Sequence, residues 1–259
     1  MAIDNDVYDR IGAGWWDEEN PLNMLAGSMT PARFSYFTSV LRRHGISLDG
    51  VRALDVGCGG GFMAEQFARS GARVLGVDPS EVSIAAARRH AAAEDLPIAY
   101  RAGVGERLPV ADAEFDIAYC CDVLEHVEDL DRVLAETARA IAPGGFYFFD
   151  TLNRTWLAKL LMIKIPQDWR LTRVFDTPVH DYSMFITPAE LGEALRRNGF
   201  VVGEFVGLGP RPVDPRVAVD LVRARLGRVS FGEFSRRLRF GRLPFTRAAY
   251  MGYAVRFAG

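Results

Sequence analysis

Apolar residues recur along this chain with two different spacings, and the change from one to the other divides it into parts. In the first 45 residues the period is helical. Val7, Ile11 and Trp15 fall four apart; Phe34, Phe37, Val40 and Leu41 repeat up to a stop at Gly45, with Thr30 and Pro31 placed as N-cap and first helical residue. From residue 46 short apolar runs predict strands over 53–56, 73–77, 98–102, 116–121 and 145–151, and helical periods predict helices over 62–69, 81–93 and 129–142. Strand and helix in turn require an α/β fold, a mostly parallel sheet with helices on both faces. Its ligand site then lies beyond the carboxyl ends of the central strands.

After Thr151 the regularity is lost. Residues 152–186 are a long connection with an apolar stretch and the polar cluster His180, Asp181, Tyr182. Thr187-Pro188-Ala189-Glu190 is a capping box that starts a helix running to Gly199. Strands are predicted over 200–206 and 250–257, and an arginine-rich insertion over 214–243 separates them. There Ser230 to Glu233 reads as a second capping box, with Phe231, Phe234 and Leu238 on one helical face. No repeat and no long linker appears, so residues 1–259 are read as a single domain: lead-in 1–45, core 46–151, a lid-like connection 152–186 and a C-terminal part 187–259.

Composition narrows the partners. With 49% apolar and 25% charged residues and a net charge of -2, the chain has the make-up of a globular protein and no global attraction to nucleic acid. The three cysteines, an odd number, follow no apolar leader, which predicts a reducing, cytoplasmic setting without disulfides. Leu157 to Pro166 is about half the length a bilayer span needs. Two lysines among 31 basic residues read as the codon usage of a G+C-rich genome.

The candidate chemistry begins at Leu54-Asp55-Val56-Gly57-Cys58-Gly59-Gly60-Gly61, a strand joined to a helix through glycines against which a ligand can lie. A dinucleotide fingerprint would need glycine where Phe62 stands, and no lysine or hydroxyl residue follows to hold phosphates. A ligand with a nucleoside but no pyrophosphate remains. Asp78 ends the second strand, where a carboxylate accepts hydrogen bonds from both ribose hydroxyls. S-adenosylmethionine (SAM) satisfies both features; the competing reading is a structural turn and a helix-capping aspartate.

Asp55 to Gly61, Gly76-Val77-Asp78, Phe115-Asp116 with Leu124-Glu125-His126-Val127, and Pro143-Gly144-Gly145 resemble the motifs of class I methyltransferases in their usual order. Trp15-Trp16-Asp17, Pro31 to Phe37, Thr151-Leu152-Asn153-Arg154-Thr155 and His180 to Ile186 are more specific. Together they are similar to the demethylubiquinol 3-O-methyltransferase family of ubiquinone biosynthesis over residues 5–212. The resemblance implies a seven-stranded sheet with a reversed final hairpin. It places Arg33 on the cofactor's carboxylate, Gly57 and Asp78 on its backbone edge and ribose, and Cys121 on its methionine portion, with Asp55, Gly59 and Gly105 completing the pocket. It also implies that Asp122, Glu125 and His126 ligate a divalent cation, most simply Mg²⁺. Two departures stand out: Val104 where many relatives carry an acid for the adenine amine, and the insertion 214–243, with eight arginines against three acids.

The expected reaction is O-methylation of a small phenolic or quinol acceptor, with Glu125, His126 and His180 as candidate catalytic groups. The alternatives are C- or N-methylation of a small natural product and, outside enzymes, a non-catalytic SAM-binding partner protein. Asp122, Glu125 and His126 at i, i+3 and i+4 would share one face of a helical turn, and His180 with Asp181 would orient a phenol, against the plainer reading of a loop histidine that satisfies backbone groups. Residues 156–175 or 214–243 offer peripheral contact with the inner membrane, against the plainer readings of a lid and a solvated face. Oligomeric state is open.

Overall fold

The computed structural model describes residues 6–175, 177–211 and 216–258. The lead-in forms α1 (Val7–Ile11), a tight turn over Gly12–Gly14 and α2 (Thr30–Arg43). The core follows as β1 (Arg52–Val56), α3 (Phe62–Arg69), β2 (Arg73–Asp78), α4 (Glu81–Ala93), β3 (Ala99–Ala102), β4 (Phe115–Cys121), α5 (Leu130–Ala140) and β5 (Ile141–Leu152). Beyond it come α6 (Trp156–Ala158), continued by a wide π-helical stretch over Lys159–Asp168, then α7 (Pro188–Arg197), β6 (Phe200–Pro210), α8 (Arg216–Arg225), α9 (Phe231–Leu238), β7 (Phe240–Leu243) and β8 (Ala249–Arg256).

One sheet runs in the order β3-β2-β1-β4-β5-β8-β6-β7. Its first five members are parallel and the last three antiparallel. Alternate residues of each strand enter different cores. Ala53, Ile117, Phe146 and Phe148 pack with Phe37, Leu41 and Phe67 on one side; Leu54, Val56, Tyr147 and Phe149 pack with Val133, Leu134, Leu191 and Leu195 on the other. Strands buried on both faces read as nearly continuous apolar runs, which is why their positions were plain in the sequence. Because β1, β2, β4 and β5 are parallel, Gly57, Asp78, Cys121 and Thr151 emerge at the same edge.

The sheet has one strand more than the seven expected. Residues 207–210 prolong β6 past Val206, and Phe240–Leu243 pairs with them. Thr30 is not an N-cap: a π-helical turn over Leu25–Met29 runs straight into α2, and the Thr30 hydroxyl donates to the Leu25 carbonyl at 2.8 Å. Thr187 and Glu190 form the complete capping box foreseen. The second box is half-formed, since Ser230 Oγ accepts from the Glu233 amide while the Glu233 carboxylate turns to Arg237.

The start of the arginine-rich insertion lies outside the described residues; the rest of it packs over the front of the molecule. Phe234 and Leu221 are buried, with Phe231 and Leu238 beside them, against Met24 of the lead-in and Ile165 and Val174 of the connection. Ser235 donates to the Met24 carbonyl, the Gly232 amide donates to the Glu18 carbonyl at 3.0 Å, and Arg236 pairs with Glu18. Part of the arginine excess is therefore internal wiring, with Arg223 and Arg237 both on Asp220. The insertion ties lead-in to connection.

Candidate active site

At the carboxyl edge of β1, β2 and β4 opens a cavity of about 600 Å³. Arg33, Asp55, Gly57, Gly59, Asp78, Gly105 and Cys121, the seven residues expected around the cofactor, all line it. Asp78 ends β2 with its Oδ2 accepting the Gly59 amide at 2.8 Å and its Oδ1 accepting the Ser80 amide at 2.9 Å. Each oxygen keeps a further lone pair for a ligand hydroxyl. Burial nevertheless raises the Asp78 pKa, against these two bonds. Val104 stands 42% exposed on the wall with Gly103, Gly105 and Glu106, so an adenine there meets backbone and an apolar side chain.

Trp15 forms the roof. A Cβ at Gly60 would lie 2.4 Å from Trp15 Cβ, and one at Gly59 2.8 Å from its ring. These glycines serve the lead-in as much as the ligand. Trp15 Nε1 donates to Ser83 Oγ at 2.9 Å; Trp16 donates to the Gly60 carbonyl at 2.8 Å and stacks on His90.

The opposite end of the cavity is built on Arg33. This arginine of α2, 2% exposed, meets Asp150 Oδ2 through Nε at 2.9 Å and Nη2 at 2.6 Å, and Asp122 Oδ2 at 2.5 Å. Burial alone would lower the Arg33 pKa, but Asp122 and Asp150 outweigh it and raise it. Asp150 shows the reverse balance: burial raises its carboxyl despite the arginine.

Asp122 therefore does not join Glu125 and His126 as the sequence suggested. It sits before the turn in a left-handed conformation, φ 55°, with its amide on Asp150 Oδ1 at 3.2 Å. That backbone turns its carboxylate toward Arg33. Glu125 and His126 occupy a short turn over Leu124–His126, and the group they form is with His180: these three offer ligand atoms all within 4.8 Å of one another. Glu125 is buried, its Oε2 accepting from Thr151 Oγ1 at 2.8 Å and its Oε1 without a hydrogen-bond partner among the described residues. Burial, then Asp122 and Asp150, raise its pKa. Burial and then His180 push the His126 imidazole down to about 3; burial likewise lowers His180.

His180 owes its place to Gln167, whose Oε1 accepts the Val179 and His180 amides at 2.9 and 3.0 Å and whose Nε2 donates to the His180 carbonyl at 3.1 Å. Asp181 Oδ1 accepts from the Ser183 amide and hydroxyl at 2.8 and 2.7 Å. Asp150, Thr151 and Gln167 escaped the sequence reading. Only the position of Asp150 and Thr151 at a strand end could have pointed to them.

Residues 54–149 match the family described as Methyltransferase domain. The ubiquinone biosynthesis O-methyltransferase of Methylobacterium nodulans is 34% identical over 229 residues, 85% of this chain and 91% of that protein. Its namesake from Methylococcus capsulatus is 38% identical over 220 residues, 82% of this chain and 90% of that one. Among solved structures, a SAM-dependent methyltransferase from Thermotoga maritima, described as a possible histamine N-methyltransferase, superposes with a TM-score of 0.61 at 18% identity, covering 96% of this chain and 99% of that one; it shares the fold.

Replacing Arg33 by Ala leaves the buried Asp150 and the half-buried Asp122 without their cation and should cost about 3–5 kcal/mol of stability. The loss depends on pH. Burial already raises the Asp150 carboxyl; without the arginine that opposes this it rises further above its unfolded value, so the folded form binds a proton the unfolded form has released. Stability then falls as pH rises through that interval. Denaturant titrations of the variant against wild type should show a larger difference at pH 8 than at pH 5; a difference independent of pH would mean the carboxylates are satisfied without Arg33.

Proposed function

This chain belongs to the ubiquinone biosynthesis O-methyltransferase family, and on that premise we propose that it transfers the methyl group of SAM to a phenolic or quinol hydroxyl. The observation that carries the reading is a single cavity with the Asp78 carboxylate and glycine loop at one end and His126, beside Glu125 and His180, at the other. SAM supplies an electrophilic methyl; the protein's task is to align an acceptor oxygen with it and lower that oxygen's pKa. Asp78 takes the ribose hydroxyls, Gly57 and Gly59 admit the ligand against the backbone, and Trp15 closes over it. Arg33 reaches the cavity while bound to Asp122 and Asp150, so a cofactor carboxylate meets a guanidinium whose charge is already shared.

At the acceptor end the residues favour ligation over simple base catalysis. An imidazole held near a pKa of 3 is a weak base, but it is in the neutral form that coordinates a metal at any ordinary pH. Glu125 brings a carboxylate oxygen with no hydrogen-bond partner among the described residues. Glu125, His126 and His180 thus fit a divalent cation. Two imidazoles suit Mn²⁺, Fe²⁺, Co²⁺ or Zn²⁺ better than the Mg²⁺ expected from a carboxylate-rich set. Such an ion would stabilise the ionised acceptor hydroxyl.

The connection after β5 supports a site of encounter with lipid. Trp156, Leu161, Trp169 and Leu171 stand 40–74% exposed, in a stretch that carries Lys159, Lys164 and Arg170. No helix among the described residues is long and apolar enough to cross a membrane, so this contact would be peripheral.

Asp78→Ala should weaken SAM binding by about 1–3 kcal/mol, since one charged acceptor serves two hydroxyls; unchanged affinity by calorimetry would move the ribose elsewhere. With labelled SAM and catechol or demethylated quinol acceptors, label should appear on oxygen, EDTA should stop turnover until metal is returned, and Glu125→Gln should lower kcat about 100-fold or more with SAM binding intact. Full activity of metal-free enzyme in EDTA would remove the cation. Anionic vesicles should sediment the protein at low salt and release it at high salt, Trp169→Ala weakening the interaction; no sedimentation at low salt would leave the connection a plain lid.

A further inference from the structure

Thr151 is the last residue but one of β5, and the chemistry proposed above gives it no part. It is 0% exposed, paired across the sheet with Tyr250 of β8, and stands behind the cavity wall rather than in it. Its one hydroxyl proton goes to Glu125 Oε2 at 2.8 Å. A threonine so placed either satisfies its own buried hydroxyl on the nearest acceptor or sets the direction in which a carboxylate points.

The local structure favours the second role. Glu125 belongs to a three-residue turn, Leu124–His126, closed by the His126 amide on the Val123 carbonyl at 2.8 Å. The terminal torsion of a glutamate is broad and two-fold, so the backbone of such a turn does not fix the plane of the carboxylate. Pinning Oε2 does, and it thereby sets where Oε1 is directed, the oxygen with no hydrogen-bond partner among the described residues. The anchor is rigid, because β5 lies inside the sheet between β4 and β8. Successive strand residues point to opposite faces: Asp150 takes Arg33 and the Asp122 amide on one, and Thr151 takes Glu125 on the other. The segment from 122 to 125 is thus tied at both ends to adjacent residues of one strand.

We infer that Thr151 is a positioning residue of the acceptor site: its hydroxyl holds Glu125 Oε2 so that Oε1 is presented to a divalent cation shared with His126 and His180. The inference rests on the cation reading given above. A partner that orients a ligating carboxylate without touching the ion typically carries about 10- to 100-fold in metal affinity. The Thr151 methyl has no share in this. Serine keeps the donor and should serve; valine keeps the shape, suits a strand equally well and lacks the donor, so it should not.

Titration with Co²⁺, followed by its visible absorption in protein loaded with S-adenosylhomocysteine (SAH), reads this without turnover, and calorimetry with SAH reports on the donor half. Thr151→Val should lower Co²⁺ affinity about tenfold or more, and Thr151→Ser should stay within about threefold of wild type. SAH affinity should be unchanged in both. Thr151→Ala, which also lacks the donor, should match valine and serves where valine does not fold. In a Glu125→Gln background Thr151→Val should cost no further Co²⁺ affinity, since the oxygen it orients is gone. Wild-type Co²⁺ affinity in Thr151→Val would make the hydroxyl merely satisfied, serine as weak as valine would make the methyl the group that matters, and equal loss of SAH and Co²⁺ affinity would make the effect a general loosening. Each of these overturns the proposal and leaves the cation in place. Wild-type protein that binds SAH but no Co²⁺ would overturn the cation reading, and this inference with it, while the methyltransferase reading stands.

Discussion

A single buried guanidinium lies between two carboxylates, and the carboxyl edge of the sheet is organised about it. Arg33 comes from the lead-in, Asp150 from the last parallel strand, and Asp122 from the left-handed residue after β4. Burying one of these charges alone would be prohibitive, so none can hold its position without the others. The network therefore docks α2 on the sheet and sets the direction in which the chain leaves β4. That direction delivers Leu124–His126 as a turn with Glu125 against Thr151 and His126 against the cavity. Burial raises the Glu125 and Asp150 carboxyls, and the neighbouring Asp122 charge raises both further.

The roof works by a different principle. No charge pairs hold Trp15; shape does. Gly59 and Gly60 leave room for the indole against the loop backbone, Phe62 meets it edge-on at 5.6 Å, and Ser83 accepts its one hydrogen bond. A roof held by dispersion and one hydrogen bond can lift at modest cost, whereas a floor held by buried ion pairs cannot. The asymmetry suits a site whose cofactor must enter and leave at every turnover while the geometry beneath it stays fixed.

What could be read in the sequence follows from the range of the interactions involved. Strands β1, β2, β4 and β5 are buried on both faces and declare themselves as apolar runs; the glycines after β1 and the acid after β2 lie at strand ends, where spacing alone gives them meaning. Gly57, Gly59 and Asp78 were within reach for that reason; Arg33, Asp55, Gly105 and Cys121 came from the family resemblance alone. Residues whose role depends on a distant partner were not. Arg33 and Asp150 are 117 positions apart, and Thr151 meets Glu125 across 26. Asp122 was placed with Glu125 and His126 because helical spacing was assumed where the backbone turns left-handed. His180 was visible, but Gln167, which holds its backbone from 13 positions away, was not. β7 is four residues with a glycine and an arginine, too short for any periodicity.

The division between donor and acceptor halves follows from the same topology. The glycine loop and Asp78 stand at the ends of strands that form the sheet, and such a surface changes little without changing the fold. His180 instead arrives on the connection after β5, held by Gln167 from the π-helical stretch. That stretch is in turn packed through Ile165 against the late insertion. No residue of 216–243 lines the cavity, yet Phe234 and its neighbours set where the connection lies. The insertion therefore acts on the acceptor at one remove: a change in how α9 packs would shift the connection and with it His180, leaving Asp78 and the glycine loop where they are. Divergence in acceptor choice within this architecture is accordingly expected to concentrate in 152–186 and in the segments that buttress it, while the donor half is held in common by the sheet.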